Sequence, residues 1–254
     1  MNDLPTATET ALCDAWAWLA ERLPGGWAEP GPGMLAAVTG LPAPTLNGVW
    51  CRAAGEGTGR GDAGLVMGML ERVAAAGLPH CVQFPVGAGA LAELARARGL
   101  TRDADLPLMR LDATPNAPEV PELEVRRLRA EEADLHARVA AAGFGAPESV
   151  FAPLVSPPLA GDRDLGYYVG SVAGEPVVTG LGLRRGVSVG VFNVATVPDA
   201  RRRGYGAALT AAIVADARNS GASWAWLQSS GAGHGVYERL GFVDVALWEC
   251  WVGA

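Results

Sequence analysis

The stretch from Val191 to Gly221 constrains this chain more than any other. Val191-Phe-Asn-Val-Ala-Thr-Val reads as a strand, and Pro198 stops it because proline offers no amide proton to a ladder. A short basic turn, Ala-Arg-Arg-Arg at 200–203, leads to Gly204-Tyr-Gly206, which opens a helix running to about Ser220. Gly221 ends that helix, and SWAWLQ follows as another strand. A strand that turns into a long helix and back into a strand requires a sheet with helices packed on it.

The surrounding sequence completes this pattern. LEVRRL alternates like a strand, AEEADLHARVAAAG carries apolar residues at helical spacing and ends at Gly143, and three strands follow with turns at Ala173-Gly174 and Arg185-Gly186. After SWAWLQ come a helix ending near Leu240 and a last strand through Trp251. The order β-α-α-β-β-β-α-β-α-β predicts a mixed α/β sheet. Upstream, LDATPNAPEVP has three prolines and no periodicity, and reads as a linker between residues 1–118 and 119–254. The two halves are alike in their later elements. AGLVMGMLERVAAAG ends at Gly77 as AALTAAIVADARNSG ends at Gly221, and in each case a short strand and a helix ending in Arg-Gly-Leu or Leu-Gly-Phe follow. Two similar domains, the product of a duplication, are expected.

Composition narrows the function classes. Of 254 residues, 50% are hydrophobic and 19% charged, which excludes a disordered chain. No apolar run approaches the ~18–20 residues of a membrane span, and the polar start Met1 to Thr10 is unlike a secretory leader. A cytoplasmic protein, monomer or homodimer, is expected. A net charge of −7 argues against a general nucleic-acid binder. All 20 basic residues are arginine, which removes Schiff-base and P-loop lysine chemistry. Cys13, Cys51, Cys81 and Cys250 show no metal spacing and read as buried small hydrophobes, so no metal is expected. Trp16, Trp18, Trp27 and Trp50 could line a cleft, with core packing the default for such aromatics.

The chemistry of residues 194–209 follows from their order. A first helical turn has unpaired amides and the positive end of the helix dipole. Glycines let an anion approach the backbone, and Arg201, Arg202 and Arg203 add charge at the same end. The physical reading is a pyrophosphate cradle. It is not a Walker A loop, since no Lys-Ser/Thr follows, nor a dinucleotide fingerprint, which needs a third glycine.

With its preceding strand Thr196-Val197-Pro198, the spacing Arg201-x-x-Gly204-x-Gly206 resembles the acyl-CoA-binding motif of the GCN5-related N-acetyltransferases (GNAT). Leu227-Gln-Ser-Ser-Gly-Ala-Gly-His-Gly-Val-Tyr-Glu-Arg-Leu-Gly-Phe242 resembles that family's second cofactor motif, and the resemblance covers about residues 122–254. It implies a tandem GNAT fold with a degenerate first copy, and an N-acetyltransferase that moves an acetyl group from acetyl-CoA to a primary amine in a ternary complex. It places Ala195, Thr196 and Val197 against the pantetheine and thioester. Arg202, Arg203, Gly204, Tyr205, Gly206 and Ala207 would hold the pyrophosphate, and Tyr237 would give a proton to the departing thiolate. A phenol with a pKa near ~10 suits that task.

The sequence also departs from the family pattern. Ser230 stands where many relatives have asparagine, with Ser229 beside it, and the motif strand has no glutamate to act as a base. Asn193 or Thr196 holding a water, Glu148 and Asp164 remain open as substitutes, and His234, three residues before Tyr237, could tune or replace the tyrosine. His80 and His136 read as structural. Arg52-x-x-Gly55-x-Gly57 copies the cradle spacing in the first half but lacks its context, and reads as a loop that has lost cofactor binding. Two other readings stay open: a non-catalytic acyl-CoA sensor, and a transferase with a longer acyl group or a peptide or protein acceptor. Gly204→Glu is expected to abolish CoA binding and leave the fold intact.

Overall fold

The computed structural model describes residues 4–52 and 60–253, so Gly55 and Gly57 of the cradle-like spacing lie outside the described residues. The chain divides into two compact units, Met1–Leu108 with Asp244–Ala254, and Met109–Val243. The last strand thus counts with the first unit, whereas a cut at 118/119 would leave it with the second.

In the first unit, α1 (Leu4–Ala20) precedes a meander of β1 (Trp27–Gly31), β2 (Met34–Val38) and β3 (Asn47–Cys51). Helix α2 (Arg60–Ala74) carries the chain to β4 (His80–Pro85), which lies parallel to β3; α3 (Gly89–Ala97) and β5 (Thr101–Leu111) follow. The final strand, β11 (Val243–Gly253), runs antiparallel to β4, giving the order β1-β2-β3-β4-β11-β5. Val49, Val73, Val82, Phe84 and Trp251 meet in its core. Trp16, Trp18, Trp27 and Trp50 are packing residues: Trp16 stacks on Trp50 at 5.3 Å, Arg22 lies over Trp18, and Arg72 over Trp27. Cys13, Cys51, Cys81 and Cys250 are buried, as expected of small apolar side chains.

The second unit is an antiparallel run of β6 (Leu123–Arg127), β7 (Leu165–Val172), β8 (Glu175–Arg185) and β9 (Ser188–Thr196), with β10 (Trp224–Gln228) parallel to β9. Its order is β10-β9-β8-β7-β6. Helix α4 (Asp134–Phe144) packs on β8 and β9, and α6 (Tyr205–Asn219) packs on β7, β8 and β9. A short α5 (Pro157–Ala160) and single 3₁₀ turns occupy the expected second helix, and α7 (His234–Leu240) follows β10. Ala173 and Gly174 both have positive φ, the two-residue turn that suits a hairpin's twist. Ile213, Leu209, Val178, Ala225 and Phe242 centre the core.

The succession strand–helix–parallel strand–helix recurs in both units. Gly77 and Gly221 end the two longer helices, and Gly99 and Gly241 follow the two shorter ones, all with left-handed φ. Helix α4 departs from expectation at its end. Gly145, at φ +67°, is its left-handed cap, and Gly143 lies inside the helix. Among the described residues no helix is long and apolar enough to cross a membrane.

Candidate functional site

Strand β9 is held differently on its two edges. Against β8 it pairs almost throughout, but Thr179 faces Ala195 while Leu181 faces Phe192, so β9 carries one extra residue. Asn193 absorbs it at φ +50°, a bulge that bends the strand. Against β10 the pairing covers only Ser188–Gly190 with Trp224–Trp226. Phe192 stands edge-on to Trp226 at 5.3 Å where the ladder ends, and a Cβ on Gly190 would come within 2.7 Å of either ring. The open edge of β9 beyond Gly190 therefore begins at an aromatic wedge. The Val197 amide donates to Val177 O at 3.0 Å, and the alternation of an antiparallel ladder then turns the Thr196 amide toward the open edge.

The turn after β9 fixes the start of α6. Arg201 Nη2 donates to Gly143 O at 2.6 Å and its Nε to Thr196 O at 3.2 Å, so this side chain ties the end of β9 to the end of α4. Arg202 and Gly204 both adopt left-handed backbone, φ +63° and +82°. Gly204 is the N-cap and supplies no side-chain bond, while the Ala208 amide makes the first helical bond, to Gly204 O at 3.0 Å. The amides of Tyr205, Gly206 and Ala207 are the orphan donors of this turn. The Tyr205 ring is buried, and its hydroxyl donates to Glu122 Oε1 at 3.2 Å.

These features bound one cavity of about 840 Å³, all of whose lining belongs to the second unit. Ala195, Thr196, Arg202, Gly204, Tyr205, Gly206 and Ala207 line it; Val197, Arg203, Ser230 and Tyr237 are not lining residues. Its charged side chains are Arg201, Arg202 and Arg239, with no carboxylate or imidazole, in a chain of net charge −7. Among the described residues neither Arg202 nor Arg239 makes an ion pair. The concentration of positive charge is local to this cavity.

Tyr237 sits just behind the wall. A Cβ on Gly233, which does line the cavity, would lie 3.1 Å from Tyr237 Cε2. The ring meets Phe242 edge-on at 6.0 Å, and its hydroxyl makes no hydrogen bond among the described residues. Burial pushes the phenol up to about 12, so it is protonated at neutral pH. Ser230 Oγ accepts from the Gly233 amide at 3.3 Å, closing the turn before α7, and Ser229 is buried with no hydrogen-bond partner for its hydroxyl among the described residues.

The open alternatives for a base lie elsewhere. Asp164 pairs with Arg184 and Arg185 beside a separate cavity of about 90 Å³, and Glu148 is exposed on a 3₁₀ turn. His234 Nδ1 lies 3.5 Å from Glu238 Oε2 on α7. His80 bonds Leu78 O, and the fully buried His136 bonds Thr179 Oγ1 at 2.7 Å, both structural roles.

Sequence reasoning missed Gly143, Phe144, Asn116, Pro118, Val236 and Arg239, which also line the cavity. Gly143 is a glycine for a packing reason: a Cβ there would lie 2.7 Å from Ala195 Cβ and 3.3 Å from the Thr196 nitrogen. A glycine just before the expected helix end looks like a terminator, which hid this contact.

Residues 163–244 match the family model described as acetyltransferase (GNAT) domain. Nothing among curated proteins matches the chain. A solved GCN5-related N-acetyltransferase from Kribbella flavida is similar over 99% of this chain and 98% of its own, with 20% identity and a TM-score of 0.73. One from Sphaerobacter thermophilus covers 99% and 93% at 15% identity and a TM-score of 0.61. A tandem GNAT protein from the clavulanic acid biosynthesis pathway covers 98% and 95% at 14% identity and a TM-score of 0.56. The fold is thus the tandem GNAT fold.

Proposed function

We propose that the second unit, whose residues 163–244 carry a GNAT acyltransferase domain, binds acetyl-CoA and transfers the acetyl group to a primary amine. The observation that carries this reading is the joining, in one arginine-lined cavity, of the open edge of β9 with the uncapped, glycine-opened start of α6. Orphan amides and a helix dipole favour a pyrophosphate, and Arg202 and Arg239, which make no ion pair among the described residues, extend the field to further phosphate. An open strand edge suits an amide-bearing arm such as pantetheine. A volume of about 840 Å³ is within the range of cofactor pockets. The residues present therefore fit acyl-CoA, which when bound supplies an activated thioester.

The chain's own part is positioning and charge stabilisation. The Thr196 amide, aimed at the open edge, is a donor for a carbonyl oxygen that gains charge during attack. Arg201 keeps that amide in place by tying Thr196 O to α4. The cavity has no carboxylate to deprotonate an ammonium, so the acceptor amine reacts as the neutral base, and orientation supplies much of the acceleration. Tyr237, neutral at physiological pH, is the proton donor toward the leaving thiolate. The same lack of a base favours one second reading, an acyl-CoA sensor without turnover.

Calorimetric titration with acetyl-CoA tests the proposal. Wild type is expected to bind and Gly206→Glu to lose binding. A Cβ on Gly206 meets only Thr196 Oγ1 and Val194 Cγ1, at 3.7 Å, and an acidic residue in a first helical turn suits the dipole, so the fold survives. Gly204→Glu is a poorer probe than its sequence suggests, because φ +82° strains any side chain there. No binding by wild type overturns the reading. Binding without turnover of any amine selects the sensor.

A further inference from the structure

Helices α4 and α6 pack on opposite faces of the sheet in the second unit. Thr179 bonds His136 of α4, whereas a Cβ on the next residue, Gly180, would meet Leu209 and Ile213 of α6, and successive strand residues point to opposite faces. The start of α6 therefore reaches the cavity from one side of β9, and the end of α4 from the other. Phe144 is the last residue of α4, stopped by the left-handed Gly145, whose amide bonds Ala141 O. Its ring lines the cavity and is nevertheless 52% exposed. Phe151 backs it, with 14° between the ring planes and 5.6 Å between centroids, and is itself buried. Tyr205, the other aromatic lining residue, is buried with its hydroxyl on Glu122, so Phe144 presents the open aromatic surface of this cavity.

We propose that the acceptor is an arylamine, whose ring stacks on Phe144 and whose amino group, borne directly on that ring, attacks the thioester. The proposal rests on the acyl-CoA reading above and names the acceptor class for it. An open aromatic ring backed by a second one is a platform for a planar apolar ligand, and it stands on the side of β9 away from the α6 cradle. The charged side chains of the cavity are arginines alone, so none of them holds an ammonium or takes a proton from one. An arylamine needs neither service. Its lone pair is delocalised into the ring, and the amine is unprotonated at neutral pH. In the transfer the nitrogen bonds to the acetyl carbon and the C–S bond breaks. The nitrogen gives up one proton to water, the thiolate takes one from Tyr237, and Tyr237 regains its own from solvent. The products are an N-acetylarylamine and CoA.

The test measures kcat/KM at neutral pH for p-toluidine, benzylamine and cyclohexylamine, with acetyl-CoA and the intact protein. Wild type is expected to favour p-toluidine about tenfold or more over the other two, which are protonated there. Phe144→Leu keeps an apolar side chain at an exposed site. It is expected to raise KM for p-toluidine by about three- to tenfold with kcat little changed, and Phe144→Tyr to restore the wild-type KM. Calorimetry is expected to find the same acetyl-CoA affinity in each variant. Benzylamine used as well as p-toluidine overturns the proposal, because the site then handles a protonated amine. Cyclohexylamine used as well overturns it too, because no ring is then being read. Weaker acetyl-CoA binding by Phe144→Leu also overturns it, since Phe144 would then serve the cofactor. A wild type that binds acetyl-CoA and turns over none of these amines overturns the arylamine and leaves the acyl-CoA reading standing. If acetyl-CoA does not bind, that reading falls and the proposal with it.

Discussion

At the scale of single residues, two buried rings show how environment sets chemistry. Thr179 Oγ1 donates its one proton to Tyr168 O at 2.8 Å, so the 2.7 Å contact with His136 must be an Nδ1–H donated to the hydroxyl. His136 Nε2 is then a bare lone pair, buried and without a partner among the described residues. Burial lowers this histidine from 6.5 to about 4. The depressed value means its contribution to stability is intact above pH 6.5 and lost as pH falls toward 4, a loss on the order of 3 kcal/mol. Denaturant midpoints measured across that window should fall more steeply for wild type than for His136→Asn. Tyr237 offers the opposite case, a phenol that burial keeps protonated. Tyr237→Phe should lower kcat by about 10²-fold or more if it is the acid, with acetyl-CoA affinity unchanged. Full turnover in that variant would leave Tyr237 a packing residue against Phe242 and pass the proton to solvent.

Among elements, the decisive contact is α4 on β9. The helix comes close enough for the Gly143 carbonyl to take the Arg201 guanidinium at 2.6 Å, and no side chain fits between Gly143 and Ala195. Gly143→Ala would push the helix off the strand just where the Thr196 amide faces the cavity. Overpacking of this kind costs about 1–3 kcal/mol, and thermal melting should show it. Acetyl-CoA affinity should fall in the same variant, since the Arg201 tie to Thr196 O is disturbed. An affinity equal to wild type would show that the strand edge is set by its bulge at Asn193 alone. The helix end at Gly145 and the fixing of residues 112–116 to α6 and α7 were both hidden in the sequence for one reason. Glycine and proline mark turns in a pattern, yet here Gly143 serves a close approach and Pro118 a surface, and neither has a local signature.

At the scale of the whole molecule, the chain's end belongs to its beginning. Strand β11 pairs with β4 from Trp248 with Pro85 to Gly253 with His80, and Trp251 lies in the core of the first unit. Removing residues 244–254 strips that unit of Trp248, Cys250 and Trp251, each 4% exposed or less. Loss of one buried tryptophan already costs about 3–5 kcal/mol, so the truncated chain should show an unfolded first unit by limited proteolysis. Protection equal to the full-length chain would refute this assignment of β11. A fragment of residues 119–254 is for the same reason a poor test of the second half, since it carries a strand without its partner β4.

The sequence determined the local events: where strands and helices lie, the proline stop after Val197, the glycine-opened helix and the basic turn. Those features act through neighbours in the chain, and periodicity and backbone chemistry report them directly. It also determined the likeness of the two halves, which recurs as the same strand–helix–strand–helix succession ended by left-handed glycines. Only the tertiary structure decided which side chains share the cavity, that Arg201 is spent on two carbonyls while Arg202 and Arg239 make no ion pair among the described residues, and that the final strand lies beside β4. Each of these depends on residues far apart in the chain, and a pairing between distant segments leaves no mark on the pattern of either one.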